Sequence, residues 1–214
     1  MTPVIDIHTH RLDAPHAIIS VEPHLFAPQP GLLYSVGHHP WSPVPSSLDA
    51  LTRAASHPQV VAVGETGIDT LRGASVGEQE LLFSQHISLA QELGKPVIAH
   101  MVRSSQQLIT VWRRLSPVGT SLIIHGMRGN ANVARTLINA GCYLSFGEHF
   151  NPEALRATPH DRILAETDES TLPIEQIIAA MAHTLNLTPS ELTAIITRNT
   201  HTLLRQNPTT DYPD

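Results

Sequence analysis

A chain of 214 residues with 41% hydrophobic and 15% charged residues is not a disordered polymer, and it is long enough to bury one sizeable core. A formal net charge of −6 excludes a protein that coats nucleic acid or an anionic membrane, although not an enzyme with a locally positive site. The single cysteine, Cys142, excludes an internal disulfide framework, and the N-terminus has neither a leader pattern nor a run of membrane-span length, so the reading is cytoplasmic.

Taken in order, the chain opens on Val4–His10, where apolar residues alternate with Asp6, His8 and His10. In a strand those three share one face, with the two imidazoles where the strand runs out. Imidazoles two positions apart on rigid backbone can share one metal ion. Ala17–Glu22 reads as a second strand, too close behind the first to leave room for a crossover helix. Gly31–Gly37 is a third, ending in HHPW, and Ser46 or Ser47 caps a helix that runs to Ser56. Val60–Gly67 is the fourth strand. Leu82, His86, Leu89 and Leu93 then mark one face of a helix over Glu78–Leu93, which Gly94 stops.

Pro96–His100 is the fifth strand, Ser121–His125 the sixth, Cys142–Phe146 the seventh and Arg162–Asp168 the eighth. Between them lie helices over Ser105–Leu115, Asn130–Ala140 and Pro152–Ala157. Two more follow, at Ile174–Leu185 and from about Pro189, before a polar tail at 206–214. This βα rhythm predicts one domain over residues 1–205, a (β/α)8 TIM-type barrel that is shortened because its first crossover helix is nearly absent. A doubly wound open sheet is the rival fold.

The barrel accounts for where the ionisable residues fall. His8 and His10 end the first strand, Glu65 lies in the fourth, and His100, His125 and Asp168 end the fifth, sixth and eighth. In a closed barrel these strand ends meet on one face, where such enzymes keep their sites. Four imidazoles and two carboxylates exceed the needs of one tetrahedral ion and suit two, about 3.5–4 Å apart. Arg11, Arg103 and Arg128 follow site-forming strands and could clamp a phosphate or form surface ion pairs. Trp41 reads as packing against the rim, with stacking on a base or sugar as the alternative, Cys142 as core, and Asn199 as a donor to backbone.

The stretches IDIHTHR, GHHPW, VAVGETGID, QELLFSQHISLAQELGKPVIAH, SLIIHGMRG, CYLSFG and ILAETD thread nearly the whole chain. In that order they resemble the TatD family of metal-dependent deoxyribonucleases, a branch of the barrel-fold metal hydrolases. The resemblance implies two divalent ions per chain, of zinc, magnesium, manganese or nickel. His8, His10, Glu65 and Asp168 would hold one, and Glu65 as a bridge with His100 and His125 the other. It also implies that His39 faces substrate, and that Asp168 and Glu65 serve catalysis. The implied substrate is DNA or a small phosphodiester, with no membrane and no stable protein partner.

The chain departs from that pattern in its walls. Thr70 stands where the family has an aromatic residue, Arg103 is displaced from the usual arginine position, and HGMRG replaces HCFTG. Amide, lactone or ester hydrolysis on the same barrel is the alternative, and a catalytically silent barrel a third. The only lysine, Lys95, precedes the fifth strand and so is not placed to bridge metals as a carboxylated lysine would.

Overall fold

The computed structural model describes residues 5–45, 47–115 and 117–205. Ser46 and the polar tail at 206–214 lie outside the described residues. Among these residues eight parallel strands are hydrogen-bonded in chain order: β1 (Asp6–Thr9), β2 (Ala17–Val21), β3 (Leu33–Val36), β4 (Val60–Asp69), β5 (Val97–Val102), β6 (Leu122–Ile124), β7 (Tyr143–Phe146) and β8 (Ile163–Ala165). The ring is nearly closed by one bridge between Thr9 and Asp168. There the Asp168 N–H donates to the His8 carbonyl at 2.9 Å and the His10 N–H to the Asp168 carbonyl at 3.2 Å.

Helices α1 (Asp49–Ala55), α2 (Val76–Glu92), α3 (Ser105–Leu115), α4 (Ala131–Asn139) and α5 (Pro152–Ala157) connect the strands from β3 to β8. Helices α6 (Ile174–Leu185) and α7 (Pro189–Arg205) follow β8. No helix joins β1 to β2, and only a 3-10 turn at Pro23–Leu25 lies between β2 and β3. The barrel is therefore shortened where the sequence says it should be. No helix among the described residues is long and apolar enough to cross a membrane.

Side-chain alternation separates the two apolar layers. Ile7, Ile18, Ala62, Ile98, Ile123 and Leu164 form one fully buried cluster, which Leu203 and Leu204 of α7 join. Their neighbours in sequence, such as Ile19, Val97, Ala99, Leu122 and Ile124, belong to the larger cluster that includes helix residues. A period of two in most strands sends one set inward and the other toward the helices, and it is interrupted where the register shifts in β1, β3 and β4.

Several boundaries differ from expectation for identifiable reasons. α2 starts at Val76, because Ser75 and Glu78 form a capping box in which each side chain bonds the other's backbone N–H. α1 begins at Asp49 with Leu48 at the cap position, and Ser47 Oγ accepts from Asp49 N–H at 3.0 Å from one residue further back. β1, β6 and β8 stop before His10, His125 and Asp168, while β4 runs on to Asp69 because Thr66–Asp69 stay paired with Ala99–Val102. Cys142 is buried, and burial pushes its thiol up to about 12. Asn199 donates to the carbonyls of His160 and Ile163 at 2.7 and 2.8 Å.

His86 does more than fill the apolar face of α2. Fully buried, its Nδ1 lies 2.8 Å from the Leu82 carbonyl, and its Nε2 accepts the His38 N–H at 3.0 Å, fixing the loop after β3. Burial lowers its pKa to about 4. Because that lies below the unfolded value near 6.5, its stabilisation is full above pH 6.5 and lost as pH falls through 4. Asp6, which burial raises to about 6, acts in the opposite sense and loses its contribution as pH rises through 6. Comparing wild type with His86→Gln cancels Asp6. Between pH 6.5 and 4 the wild type should lose about 3 kcal/mol more unfolding free energy than the variant, as read from urea titrations. Parallel pH profiles would show that His86 is not held neutral.

Candidate metal centre

Glu65 occupies the middle of the site, on β4, with 5% of its surface exposed. The glycines around it let β4 run hard against β5. A Cβ on Gly64 would stand 2.3 Å from the Ile98 carbonyl oxygen, and one on Gly67 2.1 Å from that of His100. Around the carboxylate five imidazoles converge from four other strand ends. His125 Nε2, His100 Nδ1 and His39 Nε2 lie 2.8, 3.0 and 3.0 Å from Oε1, and His8 Nε2 and His10 Nε2 lie 3.3 and 3.5 Å from Oε2. Asp168 Oδ1 stands 3.8 Å from His8 Nε2 and 3.6 Å from His10 Nε2.

Burial alone would raise the Glu65 carboxyl, but the His125 charge and hydrogen bonds from His10, His100 and His125 together hold it well below the carboxylate range. His125 responds in kind. Burial opposes its charge, yet Glu65 and Glu166 carry it well above an ordinary histidine. His8 moves the other way, lowered by burial and by its neighbour His125.

This donor set fits divalent metal ions. His8 is fully buried, yet among the described residues neither of its ring nitrogens has a hydrogen-bond partner. Orphaned buried imidazole nitrogens are costly unless something outside the polypeptide occupies them. Three groups have ligand atoms close enough to share an ion: His8, His10 and Glu65; His8, His125 and Asp168; and His39, Glu65 and His100. All six residues read from the sequence as ligands are thus together. His39, read there as facing substrate, lines the cleft and also stands among the ligand-type atoms beside His100.

The site floors a cleft of about 730 Å³ whose walls include Trp41, Arg72, Arg103 and Arg128. Arg103 and Arg128 are where the sequence reading wants them, and Arg128 reaches 4.0 Å from Asp168 Oδ2. Arg11 is not. Its guanidinium donates to the carbonyls of Ser170 and Leu172 at 3.0 and 2.8 Å, pinning the segment after β8, and it does not line the cleft. Among the described residues, His10 alone represents the β1 and β2 loops in the cleft lining, so the missing crossover helix leaves that side low. Trp41, 47% exposed, lines the cleft and is not packed away under the rim, which leaves it on the side of the stacking alternative.

Two carboxylates that the sequence reading left out of the ligand set stand behind the histidines. Asp69 Oδ2 lies 3.7 Å from His100 Nε2, and Glu166 Oε1 lies 3.6 Å from His125 Nδ1 while accepting the Gly126 N–H at 2.6 Å. Each of those imidazoles is thus flanked by Glu65 on one side and an outer carboxylate on the other. Both residues sit in quoted motifs, GETGID and AETD, but only cross-strand adjacency reveals their facing partners.

Residues 24–205 match the profile of the family described as TatD related DNase. The chain belongs to that family. An uncharacterised metal-dependent hydrolase, TatD of Mycobacterium tuberculosis H37Rv, is 32% identical over 72% of this chain and 71% of its own length. A 3'-5' ssDNA/RNA exonuclease TatD of Musicola paradisiaca is 32% identical over 56% of this chain and 48% of its own. Among solved structures, that of YJJV, a TatD homologue from Escherichia coli K12, superposes with a TM-score of 0.81 at 22% identity, covering 94% of this chain and 97% of the other. The chain is accordingly a TatD-family metal-dependent hydrolase on a TIM-type barrel. The matched span begins after β2, so the place of His8 and His10 beside the matched residues is given by the sheet pairing and the Thr9–Asp168 bridge.

Proposed function

We propose that the chain hydrolyses phosphodiester bonds at the ends of DNA or in small phosphodiesters, using two divalent ions. The observation that carries this reading is Glu65, whose two oxygens face separate sets of imidazoles: His39, His100 and His125 on one side, His8 and His10 on the other. His8, His10, Glu65 and Asp168 would hold one ion. Glu65, His100 and His125, with His39 at the edge, would hold the second. Bound there, the ions polarise a phosphoryl oxygen and lower the pKa of water.

The remaining roles fall to the chain itself. Asp168 Oδ1, at the lip of the cluster, orients the attacking water and accepts its proton. Arg103 and Arg128 hold the phosphate from the wall of the cleft, where a planar guanidinium meets two oxygens at once. Asp69 and Glu166 keep the rings of His100 and His125 turned toward Glu65. The low wall on the β1–β2 side gives remote parts of a substrate little to hold, which favours weak sequence preference and a high KM.

Protein prepared without chelator and supplied with divalent ions should hold two per chain, fewer in acid as the imidazoles protonate. It should cleave single-stranded DNA ends and a small activated diester, with activity lost on chelation and restored by metal. Turnover of an amide or lactone with DNA and diesters left intact would overturn the phosphodiesterase reading and favour the other hydrolase class. The carboxylated-lysine variant of that class has no support here, because Lys95 is buried, with its ammonium donating to the carbonyls of Ala55 and His57.

A further inference from the structure

Trp41 is held with more care than an ordinary half-exposed side chain. Its indole N–H donates to Asp69 Oδ2 at 2.6 Å, and that carboxylate is itself buried and fixed by the Leu71 N–H at 2.7 Å. The ring stands edge-on to His39 and His100, at centroid separations of 4.6 and 5.5 Å. The Arg72 guanidinium lies over it, 4.8 Å from the ring centroid. The two loops are locked together beneath, since a Cβ on Gly73 would stand 2.0 Å from the Pro40 carbonyl oxygen. Packing does not account for this arrangement, because Trp41 is 47% exposed and lines the cleft.

An aromatic ring kept rigid, exposed and next to a ligand histidine, with an arginine plane layered on it, is a surface on which another flat ring can stack. We infer that Trp41 and Arg72 form a shelf that receives the terminal nucleobase of a substrate whose phosphodiester lies at the Glu65 cluster. Bases stack on aromatic rings and on guanidinium planes alike, without regard to sequence, because every base has a π-face. A floor of carboxylates and imidazoles, arginines on the walls and a flat shelf at one side match in turn the metal-bound phosphate, its free oxygens and the attached base. The inference deepens the phosphodiesterase reading and rests on it for the position of the phosphate.

Trp112→Phe leaves Trp41 as the only indole, since the sequence has two tryptophans. In metal-loaded protein of that background, thymidine 5'-monophosphate should quench the emission saturably, whereas ribose 5-phosphate at equal concentration should not. In cleavage assays the protein should prefer an oligonucleotide with a terminal base over one with an abasic end by about tenfold or more in kcat/KM. Trp41→Ala should collapse that preference, and Trp41→Phe, which keeps a ring but loses the Asp69 bond, should retain part of it. Equal quenching by the two phosphates, or a base preference that survives Trp41→Ala, overturns the shelf. Base-dependent quenching in a protein that cleaves no phosphodiester leaves the shelf standing and removes the reaction assigned to the site.

Discussion

Replacing Glu65 by Gln is expected to weaken metal binding by well over a hundredfold and to leave the second ion unbound at micromolar metal. The isostere keeps the volume but removes the charge, and an amide has only one accepting oxygen where the carboxylate has two. Loss of a group that merely orients a metal ligand costs about 10–100-fold in affinity. Glu65 faces both ligand sets directly, with His125 Nε2 at 2.8 Å on one oxygen and His8 Nε2 at 3.3 Å from the other, so its loss should exceed that range. Metal content after dialysis and calorimetric titration read the effect independently of any substrate. Two tightly held ions in a folded Glu65→Gln protein would remove Glu65 from the bridging position.

Asp168→Asn should keep the fold and at least one ion, because the amide retains a ligating oxygen, while lowering kcat by about 10²–10⁴, the usual contribution of a positioned proton acceptor. The fold should tolerate it for a local reason. Asp168 sits at φ +53°, in the left-handed region, and its N–H and carbonyl carry the bonds that close the barrel. Asn adopts that backbone as readily as Asp, and neither main-chain bond involves the side chain. KM should change little, since the lost interaction belongs to the transition state. A folded, metal-loaded Asp168→Asn protein with near-normal kcat would move the proton acceptor elsewhere in the cluster.

What could be read from the sequence was what depends on local period. α3, α5 and α6 run where the apolar spacing and the starting Ser or Pro put them, and the strand ends carrying ligands are all recognisable as polar residues after buried runs. The expected strands overshoot at His10, His125 and Asp168 because a side chain can look strand-like in period after the ladder has ended. At Asp168 the positive φ turns the chain away. What stayed hidden depends on lateral neighbours. Asp69 and Glu166 find their partners only in the assembled ring, Asp69 of β4 facing His100 of β5 and Glu166 after β8 facing His125 after β6, and so does Arg72, which lies over Trp41. Arg11 misled for the same reason: its position after β1 suggested the cleft, while its real partners are carbonyls about 160 positions away.

The single bridge between Thr9 and Asp168 has a consequence for how the centre comes into being. The last link of the ring and the juxtaposition of His8, His10 and Asp168 are one event, because the same three residues exchange the main-chain bonds there. A chain with that seam open lacks the set of His8, His10, Glu65 and Asp168, however well its other strands are paired. An ion held across the seam would act as a clasp on the first and last strands, adding to closure the free energy of its own binding. Closure of the barrel and completion of the first ion's site would then be one cooperative step, with the meeting of the first and last strands setting when the enzyme becomes competent.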